Sequence, residues 1–261
     1  MNKDNQVFTN SLWQSLVRNL YEFPEYISSP RGLTIHETIN GHYQVPMPAF
    51  LTIKERKVNY SFMFAEAAWI LSGSNRVSDI EGYMKIYRNF SDDKIFLRGA
   101  YGPKVIEQLG YVVDTLVNDI DSRQAVLSIW RERPGNSKDI PCTLTMQFFI
   151  RDGKLDCVTN MRSNDIVKGF TYDIFTFSMI NLAVLLLLKN RGVPVSLGEL
   201  YVNAGSLHLY ESDIKNVDKW VFNDNTINID KHIEEILGVN SYEELISILQ
   251  NKANEFKKVK K

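Results

Sequence analysis

Cys142 follows a proline at the mouth of an expected strand, in "DIPCTLTM". A thiol in that place is either a small buried hydrophobe or a nucleophile, and a nucleophile requires positive charge nearby. Its sequence neighbours do not supply that charge. Cys157 lies in mid-strand, in "KLDCVTN", where a packing role fits better. Glu66 interrupts an apolar stretch, "FMFAEAAWIL". Burying a bare carboxylate is costly, so this one is paired, protonated or functional. Arg162, Ser163, Asn164 and Asp165 form a polar cluster between an expected strand and a helix. Arginine and serine together can hold a phosphate, and the same cluster can be a capped, solvated turn. His208 and Tyr210 alternate on a short strand, so both face one side, which is a site, core or surface.

The chain has 261 residues, 44% hydrophobic and 23% charged, with a formal net charge of -1. That length can bury a substantial core. The charge balance gives no global basic field for nucleic acid or a membrane surface. A few local arginines can still bind a small anion. Two cysteines argue against a disulfide scaffold. Residues 1–10 are polar and carry no signal-peptide pattern. The most apolar run, Met179–Leu188, is short for a bilayer and reads as a buried core helix. A cytoplasmic location is expected. Walker and dinucleotide-binding glycine patterns are absent, as is zinc-type Cys/His spacing, so no metal is expected.

The elements that must position these residues read as follows. Ser11–Tyr21 has apolar residues at helical spacing, and "SPRGLTIHET" is a turn entering a strand. Asn59–Leu71 is a helix stopping at Ser72-Gly73, and Pro103–Val117 is another. Ala125–Trp130 is a strand, and Pro134–Pro141 is a loop. Thr143–Ile150 and Lys154–Asn160 form a hairpin turned by Asp152-Gly153. Phe175–Lys189 is the buried helix. Leu200–Asn203 and Leu207–Tyr210 are short strands around Gly205. From Glu211 the chain turns polar, and its last 22 residues read as a surface helix fraying into a basic tail. No repeat or linker divides the chain, so a single α+β domain over residues 1–261 is expected.

The order of the clusters carries more than any one of them. "DSRQAVLSIW", "DIPCTLTMQFFIRDGKL", "NMRSNDIVKGFTYDIFTF" and "YVNAGSLHLY" together resemble the catalytic half of the thymidylate synthase superfamily, in particular the deoxycytidylate (dCMP) hydroxymethylases of T-even-type phages. The match is specific over Asp121–Tyr210. It is looser through Arg31, the Glu66 helix ending in "LSGSN", and Tyr101-Gly102, and it fades beyond about residue 211. The resemblance implies a mixed β-sheet packed by helices and a homodimer formed through the sheet. It implies Cys142 as nucleophile and Glu66 as organiser of water and protons. Arg31, Arg162 and Ser163 fall on phosphate ligands. Arg123 falls on an arginine that reaches the neighbouring subunit's phosphate, though the arginine that usually follows is here Gln124. Asp165 falls beside the pyrimidine, and His208 and Tyr210 on ligands of the sugar 3′-hydroxyl. Gly169, seven residues after Arg162, keeps the family spacing and is assigned to the cofactor side. Tyr87 and Phe90 take the place of tryptophans near the folate. The implied one-carbon donor is 5,10-methylenetetrahydrofolate.

Two departures point to the base. Thr143 replaces the histidine that usually follows the nucleophile, and Asp173 replaces the asparagine that reads uracil. Cytosine offers an acceptor at N3 and an amino donor at C4, and a carboxyl sharing a proton with N3 satisfies both. The expected activity is therefore one-carbon transfer to C5 of dCMP through a Cys142–C6 adduct, then hydration. The alternatives are a C5-methylase of dCMP or dUMP, a CMP hydroxymethylase, and a non-catalytic nucleotide-binding homologue. The last draws on the basic C-terminus, where family members carry a short apolar tail that closes over the folate.

Overall fold

The structure, a computed structural model, describes residues 3–131 and 135–259. Along the chain run α1 (Lys3–Glu22), β1 (Tyr26–Ser28), β2 (Ile35–Pro46), α2 (Tyr60–Leu71), α3 (Val77–Ile80), α4 (Tyr87–Phe90), α5 (Gly102–Asn118), β3 (Val126–Ser128), β4 (Thr143–Arg151), β5 (Lys154–Met161), β6 (Asn164–Asp165), α6 (Gly169–Asn190), β7 (Ser196–Tyr210), α7 (Val217–Val221), α8 (Asp230–Leu237) and α9 (Tyr242–Val259). The strands make one mixed sheet in the order β1-β2-β7-β5-β4-β3, with β6 pairing onto β7. β5 and β6 run parallel to β7, and the other pairs are antiparallel.

The β4–β5 hairpin follows from its turn chemistry. Asp152 and Gly153 both adopt positive φ, 48° and 68°, the conformation whose twist matches the flanking strands. The inward positions of the hairpin, Met146, Phe148, Ile150, Leu155 and Cys157, are buried. Helix α6 covers this inner face, and Asn181 donates to the Leu155 carbonyl at 3.0 Å. α2 packs on α6, with Phe64 and Phe175 edge-to-face at 5.4 Å. Asn59 caps α2, its side chain accepting from Phe62 N. α2 is apolar on all sides because all sides are packed, and Glu66 is its exception.

Several sequence expectations change. α6 begins at Gly169 rather than Phe175, and over its 22 residues it is long and apolar enough to cross a membrane. Its most apolar window is instead 83% buried inside the fold. β7 is one continuous strand of 15 residues, not two short ones. Gly205 does not break it. A Cβ there would stand 2.9 Å from the Arg162 carbonyl oxygen, so glycine marks a close backbone approach. The strand expected over Ala125–Trp130 narrows to Val126–Ser128. Residues 135–141 form the expected loop, while Pro134 lies outside the described residues.

The largest correction is α9, which is not a surface helix. Leu245, Leu249 and Ala253 are fully buried against α2. Phe256 meets Tyr60 and Phe64, and Ser61 donates to the Ala253 carbonyl at 2.7 Å. Lys252, also buried, pairs with Glu235 on α8 and with Glu255. The polar sequence hides a narrow apolar stripe that suffices for docking. Lys260 and Lys261 lie outside the described residues.

Candidate active site

The sequence-predicted residues converge on one end of the sheet, where β4 starts, β5 and β7 end, and α6 begins. Cys142 stands just before β4. Its carbonyl accepts from Arg162 N at 2.8 Å, which fixes it to the end of β5. The Arg162 guanidinium donates to the carbonyls of Pro141 at 2.9 Å and Ile140 at 3.0 Å, and to Ser163 Oγ at 3.2 Å. Ser163 Oγ lies 3.6 Å from Cys142 Sγ. Positive charge absent from the cysteine's sequence neighbours thus arrives from the adjacent strand.

Glu66 on α2 and Asp173 on α6 are both half-buried, and their charges interact. Burial raises the Glu66 carboxyl to about 7, with the Tyr87 hydrogen bond opposing. The Tyr87 hydroxyl donates to Glu66 Oε1. Tyr87 is held by rings on several sides, including Phe62 at 5.5 Å, Trp69 at 5.9 Å and Phe90 at 5.9 Å. Burial, with the Glu66 charge adding to it, holds the Asp173 carboxyl well above the usual carboxylate range. Asn164 Nδ2 donates to Asp173 Oδ2 at 2.8 Å. A Cβ at Gly169 would stand 3.1 Å from each of those two atoms, so only glycine leaves the approach open.

Tyr101, at the start of α5, closes the group. Its hydroxyl oxygen accepts from Thr143 N at 3.2 Å and Thr143 Oγ1 at 3.0 Å. Burial first, then the charges of Cys142 and Asp173, push the Tyr101 phenol well above its usual value. Its proton therefore stays on.

His208 and Tyr210 end β7 and pack edge-to-face at 5.2 Å. Burial pushes the His208 imidazole below its ordinary value, with Asp165 opposing most. A neutral ring suits a hydroxyl ligand better than a phosphate. Lys168 Nζ sits 4.9 Å over the Tyr210 ring. Asp165 Oδ1 accepts from Val167 N at 2.8 Å and Lys168 N at 3.0 Å, so it also shapes the turn into α6. Glu37, which sequence reading missed, pairs across the sheet with His208. It accepts from Ser206 Oγ at 2.6 Å and Ser28 Oγ at 2.7 Å, tying β1 to β7.

Two predicted residues lie on exposed segments. Arg31 sits in an exposed turn at φ 56°, at the end of the sheet where Ile35 pairs with Tyr210. Arg123 is exposed, and its carbonyl accepts from Gln147 Nε2 at 2.8 Å. Gln147 lies five residues along β4 from Cys142, roughly 17 Å at strand rise. Arg123 is thus remote from the Cys142 of its own chain. Phe90 is 41% exposed beside Tyr87 and forms an aromatic ledge next to Glu66. Tyr43, Asn164 and Tyr101 also belong to the site. Asn164 stood in the polar cluster and Tyr101 in a matching segment without a role, and Tyr43 gave no signal, because only tertiary contact brings the three together. Among the described residues, no group of three or more His, Cys, Asp or Glu is placed to hold a metal.

This chain belongs to the thymidylate synthase family, whose model matches residues 31–254. Members of that family use methylenetetrahydrofolate as one-carbon donor to a pyrimidine nucleoside monophosphate. Within the family it is similar to phage proteins. It is 30% identical over 208 residues to a deoxyuridylate hydroxymethyltransferase of Bacillus phage SP01, covering 72% of this chain and 53% of the relative. A deoxyuridylate hydroxymethyltransferase of Pseudomonas phage M6 is 30% identical over 191 residues, covering 69% and 53%. A deoxycytidylate 5-hydroxymethyltransferase of Enterobacteria phage T6 is 32% identical over 179 residues, covering 62% and 72%. The chain spans about half the length of the two deoxyuridylate enzymes it matches.

Proposed function

We propose that this protein is a dCMP 5-hydroxymethyltransferase acting as one catalytic domain over residues 1–261. The observation that carries the base is the half-buried Asp173 carboxyl, which burial and the Glu66 charge hold well above the usual range. A carboxyl protonated near neutral pH donates to an acceptor, and cytosine N3 is one where uracil N3–H is not. The phage deoxyuridylate enzymes among the relatives make uracil the direct competitor.

In this reading Cys142 adds to C6 of the pyrimidine, with Ser163 and Arg162 beside the thiol, and C5 becomes nucleophilic. Methylenetetrahydrofolate, when bound, supplies the one-carbon unit. The ledge of Phe90 and Tyr87 next to Glu66 fits a flat pterin, with Gly169 keeping the approach clear. Glu66 handles the protons: near 7 it can both accept one from an attacking water and return one. Transfer to C5 with loss of the C5 proton would release tetrahydrofolate and leave an exocyclic methylene. Water then adds to that carbon, the C5=C6 double bond re-forms as the Cys142 thiolate leaves C6, and the 5-hydroxymethyl product remains. Arg31, Arg162 and Ser163 hold the phosphate, Asp165 lies beside the base, and neutral His208 with Tyr210 holds the sugar 3′-hydroxyl.

The partner in this reading is a second copy of the chain. The sheet face opposite α6 carries a neutral row: Asn203 Nδ2 donates to Asn160 Oδ1 at 3.2 Å, and Asn160 Nδ2 to Thr145 Oγ1 at 3.1 Å. Tyr201, Val158, Gln147 and Phe149 extend it, all half-buried. Asp156 and Glu199 flank Tyr201 and Arg151 lies over Phe149, so the neutral row has charged margins, an arrangement that suits an isologous dimer. Such a dimer would give remote Arg123 a phosphate to reach, that of the neighbouring subunit.

The test incubates the protein with methylenetetrahydrofolate and dCMP, CMP or dUMP in parallel, read by mass spectrometry. A dCMP product heavier by a hydroxymethylene unit is expected. A product heavier by a methylene would make it a methylase, and turnover of dUMP alone would refute the base assignment. Asp173→Asn is expected to move preference toward dUMP.

A further inference from the structure

Asn164 is held from both ends. Its Nδ2 donates to Asp173 Oδ2 at 2.8 Å and lies 3.4 Å from Met161 Sδ. Its Oδ1 accepts from the Tyr43 hydroxyl at 3.1 Å. A thioether sulfur only accepts, so the amide nitrogen belongs on the Met161 and Asp173 side. The Tyr43 hydroxyl secures the other side. Asn164 is 1% exposed and Tyr43 5%, so water does not compete. The Tyr43 ring is fixed against Phe170, centroids 4.8 Å apart.

We propose that Tyr43 and Asn164 are specificity-determining positioning residues, a relay that decides which oxygen of Asp173 carries the proton and hence which pyrimidine the site accepts. This rests on the reading of Asp173 as the group that meets the base.

The carbonyl oxygen of a carboxylic acid is a better acceptor than its hydroxyl oxygen. The Asn164 N–H therefore favours the form with the carbonyl at Oδ2 and the proton on Oδ1. In that form Oδ1–H donates to cytosine N3. Oδ2 has two lone pairs: Asn164 takes one and the cytosine amino group the other. Every donor and acceptor is matched. Uracil asks for the reverse, an acceptor opposite N3–H and a donor opposite O4. That puts the proton on Oδ2, against the Asn164 N–H. The relay thus turns an amide orientation set by Tyr43 into a preference between two bases that differ by one exchanged donor and acceptor.

The experiment measures kcat/KM for dCMP and dUMP, with methylenetetrahydrofolate, in the wild type, Tyr43→Phe and Asn164→Ala. Thermal unfolding checks that each variant folds. Tyr43→Phe removes one hydroxyl and keeps the ring on Phe170. It is expected to lower the dCMP-to-dUMP ratio about tenfold, the worth of one hydrogen bond. Asn164→Ala is expected to lower it further. If Asn164→Ala does not fold, Tyr43→Phe decides alone. A merely structural role would weaken both substrates alike, so an unchanged ratio in the folded variants overturns the relay. A wild-type preference for dUMP would instead refute the base assignment, and the wild type alone shows it.

Discussion

Glu66 is the residue whose cost and use are most closely joined. Its carboxyl is raised from 4.5 to about 7 by burial. The folded state therefore binds a proton that the unfolded state releases across that interval, and stability falls as pH rises through it. Once ionised, Glu66 costs roughly 3 kcal/mol relative to an ordinary glutamate. Asp173, raised by the same burial, adds to the slope in the same sense. Glu66→Gln is expected to flatten the fall in Tm between about pH 5 and about pH 8 and to raise Tm at the upper end. The same variant should lose about a hundredfold or more in turnover while its dCMP affinity, measured by calorimetry, stays near wild type. A variant retaining most activity would remove Glu66 from its assigned role. Cys142, Glu66, Arg162 and Asp173 were legible because their order along the chain matches a family. Tyr43 and Glu37 were not, and Asn164 was visible only as one of a polar cluster. A buried tyrosine on a strand resembles any core tyrosine until the fold sets it against Asn164.

At the scale of elements, the docking of α9 against the back of α2 matters most. Leu249 is fully buried there, although its helix reads as polar. Leu249→Ala is expected to cost about 2–4 kcal/mol in urea unfolding. A surface helix would lose only a few tenths, so the measurement separates the two placements. The β4–β5 hairpin was readable because Asp-Gly is a local signal with a local cause. β7 was misread because small residues at 204–206 look like a break from within the strand. The reason for glycine at 205 lies across the sheet, at the Arg162 carbonyl. α6 was read short because its first six residues, "GFTYDI", mix polar residues such as Tyr172 and Asp173 with the buried Phe170 and Ile174 and so lack the unbroken apolar run that follows.

For the whole molecule, the separation between Arg123 and Cys142 gives a decisive test of assembly. Arg123→Ala and Cys142→Ser are each expected to be inactive or nearly so. Mixed after dissociation and reassociation, they should regain about a quarter of wild-type activity, because half the dimers then carry one intact site. No recovery would place Arg123 outside the site. Continuous β7 spans the sheet from Ser196, near the hairpin turn, to Tyr210 beside the candidate nucleotide site. In mechanical terms it is a spar roughly 50 Å long, with Gly205 close against the Arg162 carbonyl. Tyr201 and Asn203 lie on one arm and His208 and Tyr210 on the other. Paired to β2 from Glu199 to Tyr210, this one member carries both the outer face of the sheet and the candidate nucleotide site.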